Sequence, residues 1–225
     1  MTFLPITLGV GYSSDAEKGR NRIPSKSDSE KTLTQDDHAC RFCGFRSLRY
    51  QRVVSYAGGK TAQFVTACTF CDQCIHLERA GITGAGLLIW LPEIGQAQLN
   101  HIIRAIYLAQ DSETDMAESA TRGLEVLTTR RAEAKKRLGS DDPLLLATVM
   151  QEMLTQKENA AAAPKIEGIR LLPSDKHVAR GLAGDANQFP NMLKYWRSPE
   201  GPYARLPLEE WREMFKTAVS KVGHA

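Results

Sequence analysis

The feature of this sequence that most limits its fold is the placement of its cysteines. All five, Cys40, Cys43, Cys68, Cys71 and Cys74, fall within one short stretch, and none occurs elsewhere in the 225 residues. Disulfides that staple a large secreted fold would be scattered along the chain, whereas CxxC spacing is typical of reduced thiolates on a metal ion. The sequence therefore predicts that two separate segments meet at a metal site.

Sulfur donors in a tetrahedral arrangement favour zinc in a reducing compartment. The first pair, "CRFC", predicts a tight knuckle, in which Gly44 relieves backbone strain and lets backbone N–H groups point at the sulfurs. The second pair is ambiguous, because Cys68/Cys71 and Cys71/Cys74 have the same spacing. We favour Cys68 at the end of a predicted hairpin and Cys71 in the first turn of the helix behind it. Cys74 is then a small buried side chain.

Four thiolates would fill the coordination sphere of one zinc ion per chain. A catalytic zinc usually keeps one position open for water or substrate, so a closed site of this kind predicts a structural role. His76 could replace one thiolate, but a lone histidine on a helix more often packs or faces solvent. Knuckle, hairpin and helix in this order are typical of a treble-clef finger.

The expected fold is α+β, with a treble-clef or HNH-like zinc finger that contains a β-hairpin, followed by a mainly helical C-terminal half. Two β-prone runs, "RYQRVVSY" and "TAQFVTA", are separated by "AGGK", which favours the hairpin. "CDQCIHLERAG" suits a short helix that ends at Gly81, and "LLIWLP" suits a buried strand. The glycine-rich "GITGAG" lacks the Lys-Ser/Thr ending of a phosphate-binding loop, so we interpret it as a connector.

Three regions are expected along the chain. Residues 1–37 should form a short strand around residues 4–10 and an extended polar arm, residues 38–91 the zinc-binding module, and residues 92–225 a helical region with an aromatic-rich tail. Apolar residues recur at helical spacing in "LNHIIRAIY" and "PLLLATVM", and residues 117–139 suggest one long polar helix. A last helix would carry Leu208, Trp211, Phe215 and Ala218.

Composition and hydropathy favour a soluble, cytoplasmic protein. The formal net charge is only +3, so the chain as a whole has no strong field that would attract nucleic acid or an acidic partner. The N-terminus lacks the basic start of a signal peptide, and "GLLIWL", the longest apolar run, is far shorter than the roughly 20 residues that cross a bilayer. Direct insertion into a membrane is not expected.

Catalysis is not expected either. The cysteine spacing and the hairpin resemble zinc-bearing HNH endonucleases, which activate water with a histidine, typically in an Asp-His pair on the first hairpin strand. Here that stretch reads "RYQRVVSYAGGK", with no histidine and no acid, so hydrolysis has no visible general base.

The finger is nevertheless basic, and Phe42, Phe45 and Tyr50 lie among its arginines, which would suit nucleic acid. The basic residues are Arg41, Arg46, Arg49, Arg52, Lys60 and Arg79. A nucleic-acid-binding protein derived from an HNH endonuclease is therefore the alternative function. We rank it below a solvated basic face and below a protein partner.

Four motifs, "CRFCGF", "FVTACTFCDQC", "LLIWLPEIGQAQLN" and "IRLLPS", resemble in the same order the IcmJ/DotN family of type IVB (Dot/Icm) secretion systems. The resemblance covers most of the chain and is densest over residues 40–100. It implies a zinc-binding adaptor with an HNH-like core that has lost nuclease function. The zinc ligands implied by position are Cys40, Cys43, Cys68 and Cys71.

The resemblance also implies partners and a location. Family members join the type IV coupling complex, bind the C-terminal tail of the coupling ATPase, and contact other coupling-complex subunits. That complex receives effector substrates before export, so the expected location is the cytoplasm, peripherally at the inner membrane. This sequence departs from the family pattern at Thr69, where a cysteine is usual, and "SPEGPYARLPLEEWREMF" looks longer than the family's usual end.

Large aromatic side chains near the C-terminus are the candidates for contact with the ATPase tail. We expect Tyr195, Trp196 and Tyr203 to contribute to an exposed apolar patch, because exposed aromatics on a soluble protein often mark a contact surface. Trp211 and Phe215 are expected to complete the core of the helical region instead. Zinc would affect the partner only indirectly, by fixing the finger against which the helices pack.

Overall fold

The computed structural model of the chain describes residues 3–10, 23–56, 63–112, 115–155, 166–177 and 187–204. The helices are α1 (Lys26–Gln35), α2 (Thr69–Ile75), α3 (Leu77–Thr83), α4 (Gln96–Gln110), α5 (Met116–Thr129), α6 (Arg131–Leu138), α7 (Pro143–Thr155) and α8 (Phe189–Arg197). The strands are β1 (Gln51–Tyr56), β2 (Gln63–Cys68), β3 (Gly86–Trp90) and β4 (Ile169–Pro173).

The predicted hairpin is confirmed. Strands β1 and β2 pair in antiparallel fashion, with Gln51 opposite Cys68 and Tyr56 opposite Gln63. Val54 and Val65 face each other in this register and are both buried, so the hairpin turns one apolar face to the core. The register matters for function, because it fixes Cys68 at the end of β2, directly before α2.

A second sheet joins distant parts of the chain. Strand β3, which the sequence predicted, pairs in antiparallel fashion with β4, so that Gly86 lies opposite Pro173 and Trp90 opposite Ile169. Strand β4, with the sequence "IRLLP", is not among the elements predicted from the sequence. A run of five residues is too short for its periodicity to distinguish a buried strand from part of a helix. β4 could therefore not be identified without its partner strand.

The N-terminal region differs from the prediction. Residues 3–10 form no sheet strand, although Gly9 exchanges backbone hydrogen bonds with Cys74 and Leu77. The polar arm contains helix α1, whose N-terminus is closed by a capping box between Ser25 and Asp28. A capping box satisfies two backbone N–H groups that would otherwise lack partners, and it can start a helix in a polar stretch.

Two helices end earlier or later than expected. The single helix predicted over residues 117–139 is interrupted at Arg130, where α5 ends and α6 begins, and the Arg130 carbonyl accepts a hydrogen bond from the Trp90 amide of β3. The helix expected to end at Gly81 is two short helices that meet at His76. The second ends at Gly84, a left-handed residue that suits a helix C-terminus.

The apolar core surrounds the cysteines and extends into the helical half. One cluster of buried side chains combines the knuckle and hairpin with α4 and α8; its members include Phe42, Phe45, Val54, Val65, Phe70, Leu99, Ile103, Phe189, Met192 and Trp196. A second cluster lies between α3, α6, α7 and the β3–β4 sheet. The mixed α and β architecture, the small hairpin and the helical C-terminal half agree with the predicted class.

None of the described helices is long and apolar enough to cross a membrane. The treble-clef relationship and the region boundaries after residues 37 and 91 stay predictions. Buried residues from both sides of the second boundary share the first core cluster.

Candidate metal centre

The first two sulfurs come from a tight turn between α1 and β1. Within it, the Gly44 amide donates to the Cys40 carbonyl and the Cys40 amide to the Phe45 carbonyl, which brings the side chains of Cys40 and Cys43 together. Gly44 has φ +77°, a conformation that disfavours other residues, and a Cβ there would lie 2.8 Å from the Phe3 ring. Glycine is therefore required at this position.

The other two sulfurs come from the junction of β2 and α2. Cys68 is the last residue of β2 and the N-cap of α2, and Cys71 lies in the first turn of that helix. Residues three apart at a helix start project to the same side, so the junction presents both sulfurs to the knuckle.

All four sulfurs meet in the interior. The Sγ atoms of Cys40, Cys43, Cys68 and Cys71 lie within 4.8 Å of one another, and those of Cys43 and Cys68 are 3.6 Å apart. Tetrahedral zinc with bonds of about 2.3 Å places its sulfurs about 3.8 Å apart. The residues are 1, 7, 2 and 0 % exposed. The four cysteines are thus close enough to bind a metal ion.

Cys74 lies outside this group. Its side chain is buried and its thiol donates a hydrogen bond of 3.1 Å to the carbonyl of Phe70, one turn earlier in α2. Burial raises the pKa of the Cys74 thiol, so it remains protonated and behaves as a small apolar group. The structure therefore brings together the ligands that we favoured and not the rival Cys71/Cys74 pair.

Three of the four cysteines differ in how readily their thiols ionise. Burial raises the pKa of Cys40, and hydrogen bonds with Cys40 and Cys43 raise the pKa of Cys71. Burial alone would also raise the pKa of Cys68, but contacts with the other thiols and the charge of Arg104 bring it well below its usual value. A metal ion would supply the positive charge that lets Cys40 and Cys71 ionise, since the thiolate is the form that binds metal.

Helix α4 supplies polar side chains that contact the cysteine segments, and the sequence did not predict these contacts. The amide of Asn100 donates to Cys71 Sγ at 3.3 Å, and the guanidinium of Arg104 donates to Cys68 Sγ at 3.4 Å. His101 bonds the Cys43 carbonyl through Nε2 at 2.7 Å. The sequence signal for these contacts was that Asn100 and Arg104, two polar residues one turn apart, lie next to the apolar residues of the same helix.

Arg104 is held between aromatic rings. Its guanidinium carbon lies 3.8 Å from the centre of the Phe45 ring and 5.7 Å from that of Trp196. Burial by itself would lower the pKa of Arg104, but the sulfur of Cys68 raises it above its usual value. The residue stays charged, and its charge faces the sulfurs.

The aromatic residues proposed as a contact patch are placed differently from the prediction. Tyr195 and Trp196 are buried at 6 and 2 % exposure, and Tyr203 is half-buried. Trp196 meets the Phe45 and Phe70 rings edge-on, and Tyr203 stacks on Phe45. The expectation of an exposed patch is therefore wrong for Tyr195, whose ring lies against Tyr50 and Arg49, and for Trp196, which Phe45 and Phe70 cover. Trp211 and Phe215 lie outside the described residues.

The basic side chains of the finger mostly bind partners within the protein. Arg41 and Arg46 form ion pairs with Asp36 and Asp37, which directly follow α1, at 3.1 and 2.7 Å. Arg49 lies over the Tyr195 ring. The two ion pairs offset part of the positive charge that had suggested a nucleic-acid surface. Lys60 lies outside the described residues.

Two more of these arginines, Arg52 and Arg79, form ion pairs with a buried acid. Asp72 bonds His76 Nδ1 at 2.8 Å and lies 3.5 and 3.6 Å from Arg52 and Arg79. Burial would raise the pKa of the Asp72 carboxyl, but His76 and the two arginines together lower it below its usual value. The carboxylate thus joins β1, α2 and α3 and is fully engaged by cations. His177, also buried, contacts Arg52 at 3.3 Å.

No family model matches this sequence. A comparison with curated proteins finds similarity to the "Type 4 apparatus protein DotN" of Legionella pneumophila. The two sequences are 33 % identical over 157 residues, which span 66 % of this chain and 73 % of the relative.

Proposed function

The chain belongs to the family of the type 4 apparatus protein DotN, and on that premise we propose that it is a non-enzymatic, zinc-binding adaptor of a type IVB secretion system. Its partner is the C-terminal tail of the coupling ATPase, within the coupling complex that receives effector substrates. It acts from the cytoplasm, peripherally at the inner membrane. The zinc serves to hold the fold.

The observation that carries this proposal is the burial of all four candidate ligands. A zinc ion held by Cys40, Cys43, Cys68 and Cys71 would be four-coordinate, with no position for water or substrate. When bound, it supplies a fixed link between the knuckle and the start of α2. The protein residues hold and orient the sulfurs, exclude water from them and balance their charge.

We expect no nuclease activity. Strand β1 contains no histidine or acid, and Asp72 and His76, the one buried acid–histidine pair among the described residues, are engaged by Arg52 and Arg79. Incubation of the zinc-loaded protein with plasmid DNA or RNA and Mg²⁺ or Mn²⁺ should therefore leave the substrates intact. Cleavage that persists through purification and disappears in His76→Ala would contradict the proposal.

Binding to nucleic acid is not favoured either, because Arg41, Arg46, Arg52 and Arg79 are paired with acids inside the protein. Retention on a DNA column that falls steeply with salt would support the alternative function, since counterion release makes such binding salt-dependent.

The adaptor role predicts direct capture of the ATPase tail. Of Tyr195, Trp196 and Tyr203, only Tyr203 keeps part of its side chain at the surface. We propose that Tyr203 contacts the ATPase tail. The purified full-length protein should elute together with the C-terminal tail of the coupling ATPase in size-exclusion chromatography. Tyr203→Ala should weaken the affinity about tenfold or more, as loss of an aromatic contact residue does.

A matched control is Tyr56→Ala. Tyr56 is also half-buried and also packs on a phenylalanine of the finger, Phe42, so both variants lose a similar aromatic contact. The Tyr56 variant should bind the tail as the wild type does. Equal capture by both variants would remove Tyr203 from the interface, and failure of the folded wild type to bind the tail would refute the adaptor role.

A further inference from the structure

Helix α4 contacts all three segments that carry the cysteine ligands. Asn100 reaches Cys71 on α2, Arg104 reaches Cys68 at the end of β2, and His101 reaches the Cys43 carbonyl in the knuckle. A carbonyl can only accept, so His101 Nε2 carries the proton and its Nδ1 is free to accept from Arg104 Nη1 at 3.3 Å. One face of α4 thus contacts the knuckle, the end of β2 and the first turn of α2.

Arg104 has no carboxylate partner among the ion pairs of the described residues, although it is only 1 % exposed. A guanidinium buried without a counter-charge costs roughly several kcal/mol of stability. We therefore expect an anion close to Arg104. The nearest candidates are the sulfurs. Four thiolates outweigh the charge of a divalent metal, so the loaded centre is a net anion and provides the missing partner.

Gln96 fixes the orientation of Asn100. Its Nε2 donates to Asn100 Oδ1 at 2.9 Å and to the Leu171 carbonyl at 2.8 Å, while its Oε1 accepts from the Leu171 amide at 2.9 Å. Because the Asn100 oxygen is occupied, its nitrogen must face Cys71. A buried chain of hydrogen bonds therefore runs from strand β4 to a sulfur of the metal centre.

We propose that Asn100 and Arg104 are positioning residues for the metal centre, which hydrogen-bond two of its thiolates and balance their charge, with Gln96 orienting Asn100. The inference rests on the proposed zinc site. The expected consequence of these hydrogen bonds is that the protein loses its zinc ion more slowly. Removal of such hydrogen bonds around metal ligands typically lowers metal affinity 10- to 100-fold, so release should accelerate by about that factor.

The test compares zinc transfer from the full-length protein to a chromogenic chelator in wild type, Arg104→Met and Arg104→Lys. Arg104→Met removes the charge at similar length and should release zinc about 10- to 100-fold faster. Arg104→Lys keeps the charge and should fall between the two. The sulfur-to-metal charge-transfer band of the cobalt-loaded protein should shift in Arg104→Met, a change that a purely packing role would not produce.

Arg137→Met is the matched control. Arg137 also lies over an aromatic ring, that of Trp90 at 4.2 Å, and pairs with Glu133, but it has no contact with a cysteine. The variant therefore loses a cation–π contact and a positive charge without disturbing the centre. It should release zinc at the wild-type rate and leave the cobalt band unchanged.

Should Arg104→Met fail to fold, Asn100→Leu tests the same inference, because it removes only the donor to Cys71 and should also release zinc faster. Release at the wild-type rate from folded Arg104→Met or Asn100→Leu overturns the inference and leaves the zinc site standing. A wild-type protein that binds neither zinc nor cobalt overturns the zinc site, and the inference with it.

Discussion

Replacing Cys71 by serine should strip the metal from the protein and unfold it. Cys71 is fully buried and is one of the four clustered sulfurs, and a serine hydroxyl does not ionise to replace the thiolate. Structural zinc contributes about 10–16 kcal/mol of apparent binding free energy, which matches or exceeds the roughly 5–15 kcal/mol by which whole proteins are stable. Metal content by mass spectrometry and far-ultraviolet circular dichroism would measure both losses.

The control for this experiment is Cys74→Ser, a change of the same chemistry in the same helix. The serine hydroxyl can donate to the Phe70 carbonyl as the thiol does, so the variant should keep about one zinc per chain and lose about 1 kcal/mol of stability. Cys40→Ser, Cys43→Ser and Cys68→Ser should behave like Cys71→Ser. If zinc is lost from Cys74→Ser and kept by Cys68→Ser, the ligand set is wrong.

Trp196→Ala should lower the free energy of unfolding by about 3–5 kcal/mol, the usual cost of deleting a buried tryptophan. Trp196 is 2 % exposed and its ring meets Phe45, Phe70 and Phe189 edge-on at 5.7–6.1 Å. It also covers Arg104, so the cavity would open beside the metal centre. For a chain of this size the melting temperature should fall by roughly 6–20 °C in a thermal melt followed by circular dichroism.

Val126→Ala serves as the comparison, since Val126 is an apolar side chain that is 65 % exposed on α5. Its substitution should change stability by less than about 0.5 kcal/mol. A Trp196→Ala protein that melts like the wild type yet no longer captures the ATPase tail would restore the exposed patch that the sequence suggested. The expected pattern is the opposite, with loss of stability first and loss of capture only as its consequence.

Features that depend on neighbours in the chain could be predicted from the sequence alone. The hairpin follows from two β-prone runs around a glycine-containing turn, and α7 from a proline start and an apolar stripe. The CxxC spacing identified the sulfur cluster because a knuckle is a local structure. Even the choice between Cys68 and Cys74 could be argued locally, from the position of each relative to the start of α2.

Features that depend on distant partners were decided by the tertiary structure. Strand β4 becomes a strand because β3, about 80 residues earlier, supplies its hydrogen bonds. The sequence could not show whether Tyr195 and Trp196 are buried, since an aromatic residue in a helix can face either solvent or the core. Only the fold packs Tyr195 against Tyr50 and Trp196 against Phe45. Arg104 is the clearest case. An arginine on a helix usually faces water, and only the meeting of α4 with the four sulfurs provides the negative charge that lets this one be buried.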